Sequence, residues 1–180
     1  MRITRIEATP YSPPLRKFFG CSVKLGFGEL KNLKFGLVRI HTDEGLVGLG
    51  EISNVFAPSG GAQCRIVDEV LAPRLIGEDP AHIAWIHSLM DAAIDGMEPA
   101  KAALDMALYD IVGKSLGVPV HVLLGGLVRQ RIPLSFSIMF GSADEMAALS
   151  GELAVDGFKT VKVKVGQGAD EDEAAILAIR

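Results

Sequence analysis

Apolar and polar positions alternate along residues 3–8, 35–41 and 46–51, and the turn Thr42-Asp43-Glu44-Gly45 separates the last two runs. A period of two sends successive side chains to opposite faces of an extended strand, and a glycine closing a short turn supplies positive φ. The opening therefore predicts a three-stranded antiparallel unit. Residues 11–34, with Pro13, Pro14, Gly20, Gly26 and Gly28, read as a long loop, as do residues 53–61 with Pro58 and Gly60-Gly61. Loops of that length tend to carry function.

After Gly61 the period changes to about 3.6. Residues 62–76 keep Ile66, Val67, Val70, Leu71 and Leu75 on one apolar face, and Gly77 stops the helix. Asp79 is expected to cap a second helix with Pro80 in its first turn, running to Ala93. A third runs from Pro99 to Leu116, burying Ala100, Ala103, Leu104, Ala107, Leu108, Ile111 and Val112, and ends at Gly117 and Pro119. From Arg131 the grammar becomes strand (132–138), helix (143–156), strand (160–165), helix (170–180), which is that of a parallel α/β fold. Two βα units cannot close a barrel, which takes roughly 250 residues. The helical pattern still running at Arg180 gives the expectation of a chain cut short.

Composition narrows the function. The chain has 180 residues, 49% hydrophobic and 22% charged, as a globular protein does. Eighteen Lys and Arg against 22 Asp and Glu leave a net charge of −4, which offers no electrostatic footprint for nucleic acid or an anionic membrane. No apolar run approaches the ~20 residues of a membrane span, and the start lacks the apolar core of a signal peptide, so the cytoplasm is the expected compartment. Cys21 and Cys64 have no metal-finger spacing and are expected to be reduced thiols.

The candidate chemistry centres on Thr160-Val161-Lys162-Val163-Lys164-Val165-Gly166. Alternation places the valines on one face and both lysines on the other. If the valines meet covering helices, the ammonium groups point into the sheet or barrel interior, where two like charges are costly unless an anion is there. Burial and mutual repulsion then lower the pKa of at least one lysine, making it a general base near neutral pH. The same alternation also fits a solvated edge strand whose lysines guard against aggregation. His41, His82, His87 and His121 show no helical metal-site spacing. The glycine pairs Gly26/Gly28 and Gly48/Gly50 lack the third glycine of a dinucleotide fingerprint. Phe18, Phe19, Phe27 and Phe56 gather in the two long loops, as packing residues or as the lining of an apolar pocket.

The run AKAALDMALYDIVGKSLGVP (residues 100–119), followed by Leu123-Leu124-Gly125-Gly126, resembles the signature of the mandelate racemase and muconate lactonizing enzyme family of the enolase superfamily. Gly48-Leu49-Gly50-Glu51 and Gly157-Phe158 match as well. The resemblance covers the whole chain as an N-terminal part. It implies an α+β capping domain over residues 1–130, followed over 131–180 by the first two βα units of a (β/α)8 barrel that is incomplete in this chain. Lys162 and Lys164 match the Lys-x-Lys of the muconate lactonizing enzyme-like subgroup. By that carry-over, Lys164 exchanges the proton α to a carboxylate, and Lys162 depresses its pKa and helps hold the anion. Phe19 in the first loop, Val55 and Phe56 in the second, and Ser137 at the end of the first barrel strand are the expected substrate contacts. The family uses Mg²⁺ to stabilise the enolate, with ligands on later barrel strands that this sequence does not contain, so no residue here is assigned to metal. The partner implied is a small-molecule carboxylate, turned over by a cycloisomerase, epimerase or racemase that is a homo-oligomer at full length. By itself the 180-residue chain is expected to be inactive. A second class of reading keeps the capping domain as a non-catalytic binding or assembly module.

Overall fold

The computed structural model describes residues 1–13, 24–25, 28–29, 34–53 and 60–180. The chain divides into two compact units, one holding Met1–Pro13 and Leu33–Val128, the other built on Arg129–Arg180.

In the first unit, β1 (Ile3–Tyr11), β4 (Phe35–Thr42) and β5 (Val47–Ile52) form an antiparallel sheet in the order β1-β4-β5. Outside that unit, the short strands β2 (Lys24–Leu25) and β3 (Gly28–Glu29) pair with each other, within the segment read as loop. The alternation in β4 is literal: Gly36, Val38, Ile40 and Thr42 are buried and their neighbours half-exposed. In β1 the register slips between Ile3 and Arg5, which lets Ile3 and Ile6, three apart, both reach the core. The predicted turn is present, with Gly45 at φ 80° and its N–H donating to Thr42 O at 3.2 Å.

The helix expected over 62–76 is three pieces: α1 (Gly60–Ile66), a π-helical turn (Val67–Leu71) and α2 (Ala72–Leu75). Pro73 brings no N–H, and its ring crowds the Glu69 carbonyl four residues back. The ladder widens there, and Ala72 N–H reaches Val67 O, five residues away. Asp79 does not cap the next helix. Its carboxylate accepts from Ala81 N–H and its carbonyl from His82 N–H, both at 3.0 Å, closing a turn of its own. The helix α3 (Ile83–Ala93) starts only after that turn. The longest helix, α4 (Glu98–Leu116), opens from Met97 in a left-handed conformation, and a short α5 (Val120–Leu123) follows.

The core lies between the sheet and these helices, with Val38, Ile40, Ile52, Leu71, Leu104, Leu108 and Ile111 at 0% exposure. The α4 backbone lies directly on β5. A Cβ built on Gly48 would stand 2.1 Å from Ala107 O, and one on Gly50 1.8 Å from Ala103 O, so only glycine fits at either place. On the outer edge of β5, Asp110 accepts from Leu49 N–H at 2.9 Å and Lys114 donates to Val47 O at 2.6 Å. Those contacts satisfy backbone groups that an edge strand otherwise leaves open.

The second unit runs β6 (Phe136–Ile138), α6 (Ala143–Val155), β7 (Val161–Val163), α7 (Ala169–Ile179), with β6 and β7 parallel. Both strands are shorter than their apolar patterns, because a strand extends only as far as its ladder. β6 pairs with β7 over three residues, while Ile132 and Leu134 lie outside it at 71% and 70% exposure. Ser142 caps α6 in a reciprocal box with Glu145.

Candidate active site

In β6 and β7 the residues facing the helices and those facing away separate cleanly. Val161 and Val163 pack with Phe136 against the cluster of Ile138, Met146, Leu153 and Ala175, and Phe136 meets Phe158 edge-on at 5.7 Å. That is the side to which alternation assigned the valines. The other side carries Ser137 and Lys162, direct partners in the parallel register and both exposed. Lys164 follows the last residue of β7. Its N–H donates to Ile138 O at 3.0 Å, one bond beyond the strand, and its side chain is half-buried. Among the described residues neither ammonium group has an ion-pair partner.

Of the residues singled out in the sequence, the structure thus brings Ser137 and Lys162 to the middle of one strand pair, Ser137 being mid-strand where a strand end was expected, with Lys164 just past the end of β7. Phe19, Val55 and Phe56 lie outside the described residues.

Two further residues, Asp172 and Gln167, hold the turn that follows Lys164. Asp172 accepts backbone N–H bonds from Gly166 at 2.7 Å and Gln167 at 3.3 Å, and the Gln167 side-chain amide donates to Gly141 O at 3.1 Å. In the sequence Asp172 is one acid of a helix start. The available signal was its spacing, one turn into a helix that follows a glycine-turned strand end.

Those bonds also bear on the metal. Among the described residues no group of three or more His, Cys, Asp or Glu is placed to hold an ion. The carboxylate of this acidic run nearest the strand end is directed at amide hydrogens. The described residues do not fit a Mg²⁺ site.

In the first unit, a cleft of about 890 Å³ is lined by His82, Trp85, His87, Asp105, Tyr109 and Leu124, with His87 Nε2 2.7 Å from Asp105 Oδ1. There too, Tyr11 donates its hydroxyl to Glu51, and that bond, with some desolvation, pushes the phenol pKa up to about 12. Burial raises the Cys64 thiol and the Asp68 carboxyl, and the Lys101 ammonium holds Asp91 below the usual carboxylate range.

Residues 14–125 match the family described as mandelate racemase / muconate lactonizing enzyme, N-terminal domain. The chain belongs to that family. Its sheet, helices and two βα units are those of the α+β capping domain and the segment after it in enolase-superfamily members. The chain is 34% identical over its whole length to an N-succinyl-L-Arg/Lys racemase of Bacillus cereus, of which it covers 48%. It is 30% identical over 96% of its length to a chloromuconate cycloisomerase of Pseudomonas putida, covering 47% of that protein. Among solved structures, a dipeptide epimerase of Enterococcus faecalis in complex with Mg and the dipeptide L-Leu-L-Tyr superposes with a TM-score of 0.90. That match has 28% identity and covers all of this chain and 50% of the epimerase. The chain spans about half the length of the curated relatives it matches.

Proposed function

We propose that this chain is the capping domain and first two βα units of a (β/α)8-barrel enzyme that removes and returns the proton α to a substrate carboxylate. Lys164 is the acid/base group. Lys162, two residues earlier on the same strand, attracts the substrate anion. The observation that carries the reading is the split across β7: the valines take the helix-covered side, leaving Lys162 with Ser137 on the other face and Lys164 just past the strand end. Catalytic groups of such barrels sit at the C-terminal ends of parallel strands, and a lysine relieved of its proton is a competent base near neutral pH. A racemase, an epimerase and a cycloisomerase among the relatives support an isomerase class. Mg²⁺ belongs to the proposal because the E. faecalis epimerase carries it, with its ligands on later barrel strands that this sequence does not contain.

The test is α-proton exchange in D₂O, with Mg²⁺, on the full-length protein. The probes are N-succinyl-L-arginine, N-succinyl-L-lysine and L-Leu-L-Tyr, followed by proton NMR. Exchange with at least one of them, reduced by roughly a thousandfold or more in Lys164→Ala, is the expected result, general acid–base groups being worth about 10²–10⁴. Unchanged exchange in Lys164→Ala rejects the assignment.

A further inference from the structure

The segment that carries Lys164 out of β7 is fastened at both ends. Before the turn, Lys164 N–H is held by Ile138 O of β6 at 3.0 Å. Two residues on, Gly166 takes φ 120°, a backbone conformation that side-chain-bearing residues avoid, and the chain turns away. The turn is held by the Asp172 carboxylate, which accepts the N–H groups of Gly166 and Gln167 on separate oxygens. Asp172 is itself fixed in the first turn of α7, its own N–H donating to Gly168 O at 2.9 Å. Gln167 carries the tie across to the loop after β6 through its amide bond to Gly141 O. Bonds from amide N–H to a charged carboxylate are about twice as strong as neutral ones, and a helix-anchored acceptor loses little freedom in making them.

We propose that Asp172 is a positioning residue that sets the height and direction from which Lys164 reaches the substrate, with Gln167 extending the brace to the end of β6. Asp172 touches no reacting atom. It acts through the Gly166 and Gln167 amides on the backbone two residues beyond Lys164. The inference rests on the acid/base role of Lys164, and the experiment separates the two ideas.

In the full-length protein, the amides of Gly166 and Gln167 are followed by NMR hydrogen exchange without substrate, and α-proton exchange is followed with N-succinyl-L-arginine or whichever of the three probes reacts fastest. Asp172→Ala is expected to lose protection at both amides. It should lower kcat by roughly 10- to 100-fold, the size of effect that a displacement of about 1 Å produces, while KM stays within about threefold. Asp172→Asn keeps a carbonyl acceptor and is expected to recover most of both. A residue needed only for folding would lower the amount of folded enzyme and leave kcat per folded molecule unchanged. Three outcomes overturn the proposal: undiminished protection in Asp172→Ala, kcat within about twofold of wild type in that variant, or Asp172→Asn as impaired as Asp172→Ala when both are folded. Full exchange in Lys164→Ala removes the base assignment and this proposal with it, while loss of amide protection would still mark the tie itself as real.

Discussion

The two units bury apolar surface in different ways. In the first, the middle strand β4 has a ladder on each side, and its inner face is sealed by helices, so Val38, Ile40 and Ile52 reach 0% exposure and the outer edge of β5 is closed by Asp110 and Lys114. In the second, among the described residues, two three-residue strands pair with each other, and the buried cluster holds Ile138, Met146, Leu153 and Ala175. The side opposite that cluster carries Ser137 and Lys162 in the open. A sheet closed on one face and at its edge is a finished core. A sheet closed on one face alone, with polar and ionic groups on the other, is a platform that presents them.

The largest expected contrast is in backbone opening. In the 180-residue chain, amide hydrogen exchange at Val38 and Ile40 should be slower than at Lys164, whose N–H is bonded to Ile138 O, by roughly two orders of magnitude or more, since opening free energies follow local burial and pairing. Equal rates would break the comparison. Next, Gly50→Ala drives a methyl group onto the Ala103 carbonyl and is expected to destabilise the first unit by about 3 kcal/mol, at the upper end for overpacking, measured by denaturant midpoint. Asp110→Ala leaves Leu49 N–H without its carboxylate acceptor and Lys114 without its ion pair, and should cost about 1–2 kcal/mol in the same assay.

A smaller effect runs the other way. Burial raises the Asp68 pKa above its unfolded value, so the folded state binds more protons in that window and stability falls as pH rises through it. Asp68→Asn, still able to accept from Ala8 N–H, should raise the melting temperature by roughly 1–3 °C at pH 7. The gain should vanish below the ordinary carboxylate range. A gain that persists there would mean that packing, not charge, is responsible. Smallest of all, Leu134→Ser in the second unit should change stability by less than about 0.5 kcal/mol, because that side chain is 70% exposed.

Much of this architecture was legible in the chain. The alternation of residues 35–41 announced an extended strand with two unlike faces, and β4 buries Gly36, Val38 and Ile40 on one of them, a register that cannot shift without exposing that set. The family run 100–119 was recognisable before its physical sense was clear. Ala103 and Ala107 are small because Gly50 and Gly48 lie on their carbonyls, and Asp110 and Lys114 are polar because they close a strand edge. Other features were not legible. Pro73 sits inside an apolar helical pattern, and only the ladder shows it absorbed as a π-turn. Asp79 has the chemistry of a helix cap and closes a turn instead, because the capped N–H is chosen by where the chain goes next.

At the lysines the division is sharpest. Sequence alone set Lys162 opposite Val161 and Val163, since strand geometry is a local property with a period of two. It did not set where the strand stops: β7 ends at Val163, three residues short of Gly166, because its ladder with β6 ends there. Which side the helices cover, that Ser137 stands beside Lys162, and that Asp172 reaches back to hold the turn were decided by the tertiary structure. Each is a contact between segments distant in the sequence or facing one another across a fold, and a one-dimensional pattern carries no distances between them.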